Sequence, residues 1–324
     1  MSDHGMSVPT RETKGVLSGN LDVDGFAALL GGTREEILTY CGEAIESFDL
    51  RYDLLGPKER DRIILSVIKA IEGGTFKPSG KERSQDWESG WQETLDEFVQ
   101  SGHDPSALAP KYVAKYPVVR LFKEYVRPHD PRFELSYYTV YRHYLFQKYL
   151  HSFENIFEFG CGTGYNLVIM NKLFPSANLV GLDWAQSSID IVNLLGTRLR
   201  LPVTGRRFDY YKPDYSLDIP SNSAVITLNS LEQIGKDYGE FLRFILEKKP
   251  KLVINSEPFV EMYDDDDLID HLAISYHDSR NYLRGYYDKL RQLEALDSIN
   301  IVEATRVCAG NLFHEAQSFM VWHT

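Results

Sequence analysis

Glu158-x-Gly160-x-Gly162-x-Gly164 is the stretch of this chain whose residue types and spacing carry the most chemistry. Glycines at a turn let backbone come close to a ligand, and the amides at a helix start favour a polar or anionic group. The spacing then separates one ligand class from another. A dinucleotide fingerprint requires Gly-x-Gly-x-x-Gly, and counted from Gly160 its last position falls on Tyr165. Here a carboxylate stands two residues ahead of the first glycine, where it would repel a pyrophosphate and attract an ammonium or sulfonium. Cys161, inside the turn, reads as a small filler presenting its backbone amide, with a reactive thiol as the alternative.

Other groups join this constellation. Asp183 lies about 20 residues beyond the glycines, where nucleotide-binding α/β folds place a ribose-binding carboxylate. A carboxylate there can accept from both ribose hydroxyls. Trp184 either covers an adenine face or is an ordinary buried aromatic. Of the nine histidines, His277 and His314 fall in segments expected to reach the substrate side. Histidine is the usual proton acceptor near neutral pH. His277 is the first candidate base and His314 the second, with Glu257 as orienter or alternative base. If residues 276–290 form one helix, His277, Arg280 and Arg284 share a face at i, i+3 and i+7. That face suits a hydroxylated, anionic substrate. Asp264 to Asp267 is the densest charge run; it reads as a solvated turn or helix start before it reads as a metal site.

The elements that must position these groups follow from periodicity. Residues 155–157 supply the apolar run of a buried strand, and 165–174 carry apolar residues at helical spacing. Residues 178–183 read as a second strand, 186–195 as a helix, and 203–210 as a third strand with its exit. Strands over 224–229 and 251–257 flank a helix over 238–246. A longer helical stretch and a closing antiparallel pair, near 299–303 and 317–322, complete the pattern. Ligands in open α/β sheets bind outside the carboxyl ends of the strands, which is where Asp183, Asn229, Glu232 and Glu257 fall.

The acidic, glycine-rich turn closely resembles the first motif of class I S-adenosylmethionine-dependent methyltransferases, and the likeness extends over roughly residues 131–324. It implies a doubly wound, Rossmann-like α/β fold with a seven-stranded, mostly parallel sheet and an antiparallel last strand. It implies S-adenosyl-L-methionine as cofactor, held by Glu158, Gly160, Cys161, Gly162, Gly164, Asp183, Trp184 and Asn229. Asp209, after the third strand, would meet the adenine amino group, or it is a solvated loop aspartate. The segment 133–144 holds five aromatic residues in twelve. Tyr138 there would seal the cofactor or stack on a sugar, and Arg142 would pair with the methionine carboxylate; the alternative is a helix packed under a cap. Glu232, Arg280 and Arg284 join them as substrate-binding candidates. The rim residues are similar to those of sugar O-methyltransferases of bacterial surface-polysaccharide pathways. The expected acceptor is therefore a sugar or nucleotide-linked sugar. Arginine methyltransferases also carry a Tyr-rich helix ahead of this turn, which offers Glu232 and Glu240 as an alternative catalytic pair. A cofactor-binding module without methyl transfer is the second alternative.

Residues 21–130 carry no glycine-rich nucleotide turn and little strand pattern. A capping box at Thr33 and Glu36, a helix opened by Pro57, and a stripe of Trp87, Trp91, Leu95 and Phe98 at helical spacing point to a helical cap. The stripe reads as a packing face. Residues 1–20 read as a disordered leader. The 324 residues, 43% hydrophobic and 13% aromatic, suffice for about two packed domains. No apolar run approaches the roughly 18 to 20 residues of a membrane span. The net charge of −12 argues against sequence-independent nucleic-acid binding, which draws affinity from phosphate neutralisation. Three scattered cysteines form no disulfide or metal pattern, so a cytoplasmic location and no metal are expected. Self-association is left open.

Overall fold

The computed structural model describes residues 18–324. The leader expected over 1–20 lies outside the described residues up to position 17. Its last three, Ser18–Asn20, are not leader but the first strand, β1. Helices α1 (Val23–Leu30) and α2 (Arg34–Glu46) follow, α2 opened by the Thr33–Glu36 capping box. Then come β2 (Arg51–Leu54), α3 (Pro57–Glu72), α4 (Ser84–Gln100), β3 (Val119–Leu121) and β4 (Glu124–Pro128). The segment expected to be a helical cap is thus mixed. Its strands are three to five residues long, too short for alternation to stand out in a sequence.

Helix α5 (Phe133–Leu150) leads into the main sheet. There β5 (Asn155–Phe159), α6 (Tyr165–Leu173), β6 (Asn178–Asp183), α7 (Gln186–Arg198), β7 (Val203–Arg207), β8 (Ala224–Leu228), α8 (Gly239–Lys248) and β9 (Leu252–Ser256) alternate as expected. Helices α9 (Leu268–Arg280) and α10 (Tyr286–Ala295) precede β10 (Asn300–Thr305), β11 (Ala309–Gly310) and β12 (Phe319–His323). The sheet order is β7-β6-β5-β8-β9-β12-β10. The first five of these strands run parallel, while β12 is antiparallel to both β9 and β10. The α/β class and the mostly parallel sheet agree with the sequence reading.

Buried strands explain the legible pattern. All five residues of β8 and of β9 are buried, so each opens with an unbroken apolar run, 224–226 and 252–254, rather than alternating. After β5 the chain crosses to β6 on one side and returns to β8 on the other. That reversal opens a crevice at the carboxyl ends of β5 and β8.

A second, antiparallel sheet, β1-β2-β4-β3-β11, stands beside the first. Its last strand comes from the far end of the chain and pairs Ala309 with Leu121. One hydrophobic core runs from Phe26 and Ile37 through Tyr137 and Tyr141 to Ile226 and Ile254. The N-terminal segment is therefore packed into the same interior as the main sheet. No helix among the described residues is long and apolar enough to cross a membrane.

Candidate active site

A cavity of about 470 Å³ occupies that crevice. Its floor is the glycine turn, where Gly160, Gly162 and Gly164 all take left-handed backbone. A side chain would clash at the first of them and be crowded at the second. A Cβ on Gly160 would lie 2.2 Å from the Ser230 Cβ, and one on Gly162 would lie 3.0 Å from the Trp91 ring. Gly164 faces the other way, onto Val192 and Leu195 of α7. Cys161 lines the floor with its thiol 3.6 Å from the Ser188 hydroxyl. Burial pushes that thiol well above its ordinary range, so it acts as a filler.

Asp183, at the end of β6, locks the turn to the sheet. Its Oδ2 accepts from the Gly162 amide at 2.9 Å and its Oδ1 from the Ala185 amide at 3.0 Å. Each oxygen keeps a lone pair for a ligand hydroxyl. Burial raises the carboxyl to about 6, against the lowering effect of those amides. Trp184 edges the same end of the cavity and stacks with Tyr211 at 6.3 Å.

At the helix side of the turn the polar groups are unpaired. Arg142 is 6% exposed, lines the cavity, and has no partner for Nε or Nη1. Its charge lies over the Tyr138 and Tyr165 rings. Glu158 sits just behind the wall. Its Oε1 accepts from Asn166 at 2.6 Å, while Glu158 Oε2 and Asn166 Oδ1 are buried without partners. Burial lifts the Glu158 carboxyl to about 8. Unpaired buried polar groups are costly. Unpaired donors and unpaired acceptors at one end of the cavity match a ligand carrying both a carboxylate and an ammonium. Asn166 was not singled out from the sequence, since an asparagine in a first helical turn looks like any capping residue.

The roof comes from the N-terminal segment. Trp87 and Trp91 of α4 stack 5.3 Å apart and face the cavity, whereas Phe98 of the same stripe lies in the core. The stripe expected to be packing alone is thus divided between core and ligand space. Glu88, between the two tryptophans, caps α7, accepting from the Gln186 and Ser187 amides at 2.7 and 2.9 Å. Helix α7 has no side-chain cap of its own.

The far end is aromatic. Phe76, Tyr276 and Phe313 meet with ring centres 5.0 to 5.1 Å apart, with Tyr116 and Tyr282 beside them. Glu232 projects here, 7% exposed, with Oε2 unpaired and its carboxyl raised to about 8 by burial and by Glu257. Arg280 lines the wall and lies over Tyr282. His314 lines the same wall, its Nδ1 3.0 Å from His277 Nε2. His277 is buried behind it, with Nδ1 unpaired. Burial holds His277 down at about 3, with Arg120 and Arg284 adding to the effect, and it holds His314 well below its ordinary value. Burial is the main cause in both, and it keeps both rings neutral. The first candidate base is thus the rear member of a pair whose front member is the second.

Several expected site residues stand elsewhere. Glu257 is fully buried and does not line the cavity; it accepts from the amides of Ser230, Leu231 and Glu232 at 3.2 to 3.3 Å and so braces the loop after β8. Arg284 is off the expected face because α9 ends at Arg280 and Asn281 turns left-handed; it pairs with Asp278. Asp209 is exposed on a surface groove and caps the Tyr211 amide at 2.9 Å. Asn229 does line the cavity and ties it together, donating to Ala316 O and accepting from Gln317. Glu240 pairs with Arg243 on α8 and does not converge with Glu232. In the acidic run, Asp267 caps α9 and Asp265 contacts His271. Glu134 was missed: it lines the cavity with its carboxyl raised to about 7 by burial.

No family model matches the chain. Malonyl-(acyl-carrier protein) O-methyltransferase of Bacillus cereus is 31% identical over 88 residues, which is 27% of this chain and 33% of that protein. The chain thus matches about a third of its length. Among solved structures, the (4+2)-cyclase SpnF superposes with a TM-score of 0.45 at 14% identity, over 72% of this chain and 78% of that one. An O-methyltransferase from neocarzinostatin biosynthesis, in complex with S-adenosylmethionine and 2-hydroxy-5-methyl naphthoic acid, does so with 0.38 at 15% identity, over 60% and 58%. Likeness at this level carries no functional argument, which rests instead on the cavity.

Proposed function

We propose that the chain is an S-adenosylmethionine-dependent methyltransferase acting on a hydroxyl of a small polar acceptor. One observation carries this reading: Arg142 and Asn166 line the cavity with unpaired atoms, and the unpaired Glu158 Oε2 lies just behind its wall, at an acidic glycine turn. Arg142 would hold the amino-acid carboxylate, Glu158 and Asn166 its ammonium, and Asp183 the ribose hydroxyls. Trp91 and Trp184 would enclose the base and sugar. The bound donor would supply an electrophilic methyl group.

The acceptor end favours a ring with hydroxyls and an apolar face, as a sugar has. Its face would stack on Tyr276 and Phe313, while Glu232 and Arg280 would bind hydroxyls or an anionic substituent. An alcohol must lose its proton as the methyl arrives. His314 faces the cavity and is neutral, so it is the base in this reading, and His277 orients its ring through the 3.0 Å contact. Residues 131–324 would bind the donor, and residues 21–130 would close over it. Incubation with methyl-labelled S-adenosylmethionine and fractionated sugar and nucleotide-sugar acceptors tests the proposal. Label transferred to a hydroxyl supports it; binding of donor without label on any acceptor favours a module that holds the cofactor without transfer.

A further inference from the structure

Tyr112 is placed as no other aromatic residue near the cavity is. It lines the cavity, and 46% of its surface is accessible. It hangs from a strap, residues 103–118, that is tied down on both sides. Leu108 O accepts from Thr163 of the glycine turn at 2.7 Å, and the Ala114 amide donates to Glu134 Oε2 at 2.7 Å. Leu108 and Val113 anchor the strap in the core, and Ala114 takes a left-handed conformation that costs a non-glycine residue about 1 kcal/mol. Such strain persists only where the surroundings over-determine it. The strap is therefore built to hold Tyr112 inward.

The phenol has no hydrogen-bond partner among the described residues. Enclosure pushes it up to about 12, with Arg142 the strongest charge acting on it and Glu232, Glu158 and Glu134 opposing. It remains an O–H donor at any physiological pH. Glu134 is already committed to Ala114 and Tyr138. Arg142 presents two further donors without an acceptor. Two such donors lining one cavity, one charged and one neutral, fit a carboxylate.

We propose that Tyr112 and Arg142 form one carboxylate clamp for the amino-acid end of the donor, so that the strap supplies half of the contact. This rests on the donor being S-adenosylmethionine. The clamp would distinguish ligands with an amino-acid tail from adenosine thioethers without one. The test is calorimetric titration of the full chain and its Y112F variant with S-adenosylhomocysteine and with 5′-methylthioadenosine, which lacks the amino-acid portion. Y112F is expected to bind S-adenosylhomocysteine about tenfold more weakly and 5′-methylthioadenosine within about twofold of wild type. R142K, which keeps the charge but loses the planar fork, is expected to show the same selective loss. Equal losses for both ligands, or Y112F binding S-adenosylhomocysteine as wild type does, would overturn the clamp. A folded wild type that binds neither ligand would overturn the donor reading on which it rests.

Discussion

The two ends of the cavity are built in different ways. The end that we propose binds the donor is built on a local unit: β5, the glycine turn and the start of α6 are continuous in sequence, Asp183 is tied back to them through the Gly162 amide, and Trp91, Tyr112 and Arg142 are added from elsewhere. The acceptor end is assembled from Phe76, Tyr116, Glu232, α9 and residues 311–317, which are far apart in the chain. At the glycine turn backbone bonds do the positioning, with the Gly160 and Cys161 amides donating to Leu182 O and the Gly162 amide to Asp183, so residue types there are dictated by turn geometry. At the acceptor end side chains do it, and many aromatic residues could fill the same space. The first construction fixes a ligand class, and the second leaves specificity free to vary.

The largest expected effect would sharpen this division. If His314 is the base, H314A loses about a hundredfold or more in turnover while binding donor normally. H277A, acting through its neighbour, is expected to lose about tenfold. Burial keeps both rings neutral, so wild-type turnover should show no limb through the ordinary histidine range near 6.5. A histidine limb there, or H277A the more damaging variant, breaks the assignment. Donor affinity comes next. D183A should bind S-adenosylhomocysteine more weakly by about 2 to 3 kcal/mol, since it removes a buried acceptor and frees the Gly162 and Ala185 amides. Unchanged affinity by calorimetry would mean the ribose lies elsewhere.

Smaller effects concern stability. E257A leaves three buried amides without an acceptor and is expected to cost about 2 kcal/mol in urea unfolding. If it unfolds like wild type yet loses turnover, Glu257 is a site residue after all. Finally, Glu158 and Glu232 hold their protons up to about 8, whereas unfolded glutamates release theirs near 4.5. The native state then binds more protons than the unfolded one, so stability falls as pH rises from 4.5 to 8. The buried histidines act oppositely, but only below about 6.5. Between pH 6.5 and 8 the ligand-free protein should therefore lose stability, and E158Q should flatten that slope. A rising slope would contradict the buried, unpaired carboxyl.

The same division accounts for what was legible. The main sheet could be read because its parallel strands are buried on both faces and its helices amphipathic. The small sheet could not, because strands of two to five residues leave no period to follow. Of the cavity lining, the glycine turn, Asp183 and Glu232 were expected from motif or strand ends, and Arg142 from the aromatic segment ahead of the sheet. Arg284 failed because a left-handed Asn281 ended α9, and asparagine in a polar run does not announce a helix stop. Trp91 and Tyr112 line the cavity from segments whose patterns resemble ordinary packing, so only the folded arrangement brings them there.

The central claim is that the unpaired groups around the glycine turn are the contacts of an S-adenosyl amino acid. Titration of folded wild type with S-adenosylhomocysteine tests it most directly. The account predicts saturable binding at one site per chain, abolished or strongly weakened when Arg142 is replaced by alanine. Absence of binding to wild type, or full binding to R142A, would contradict it.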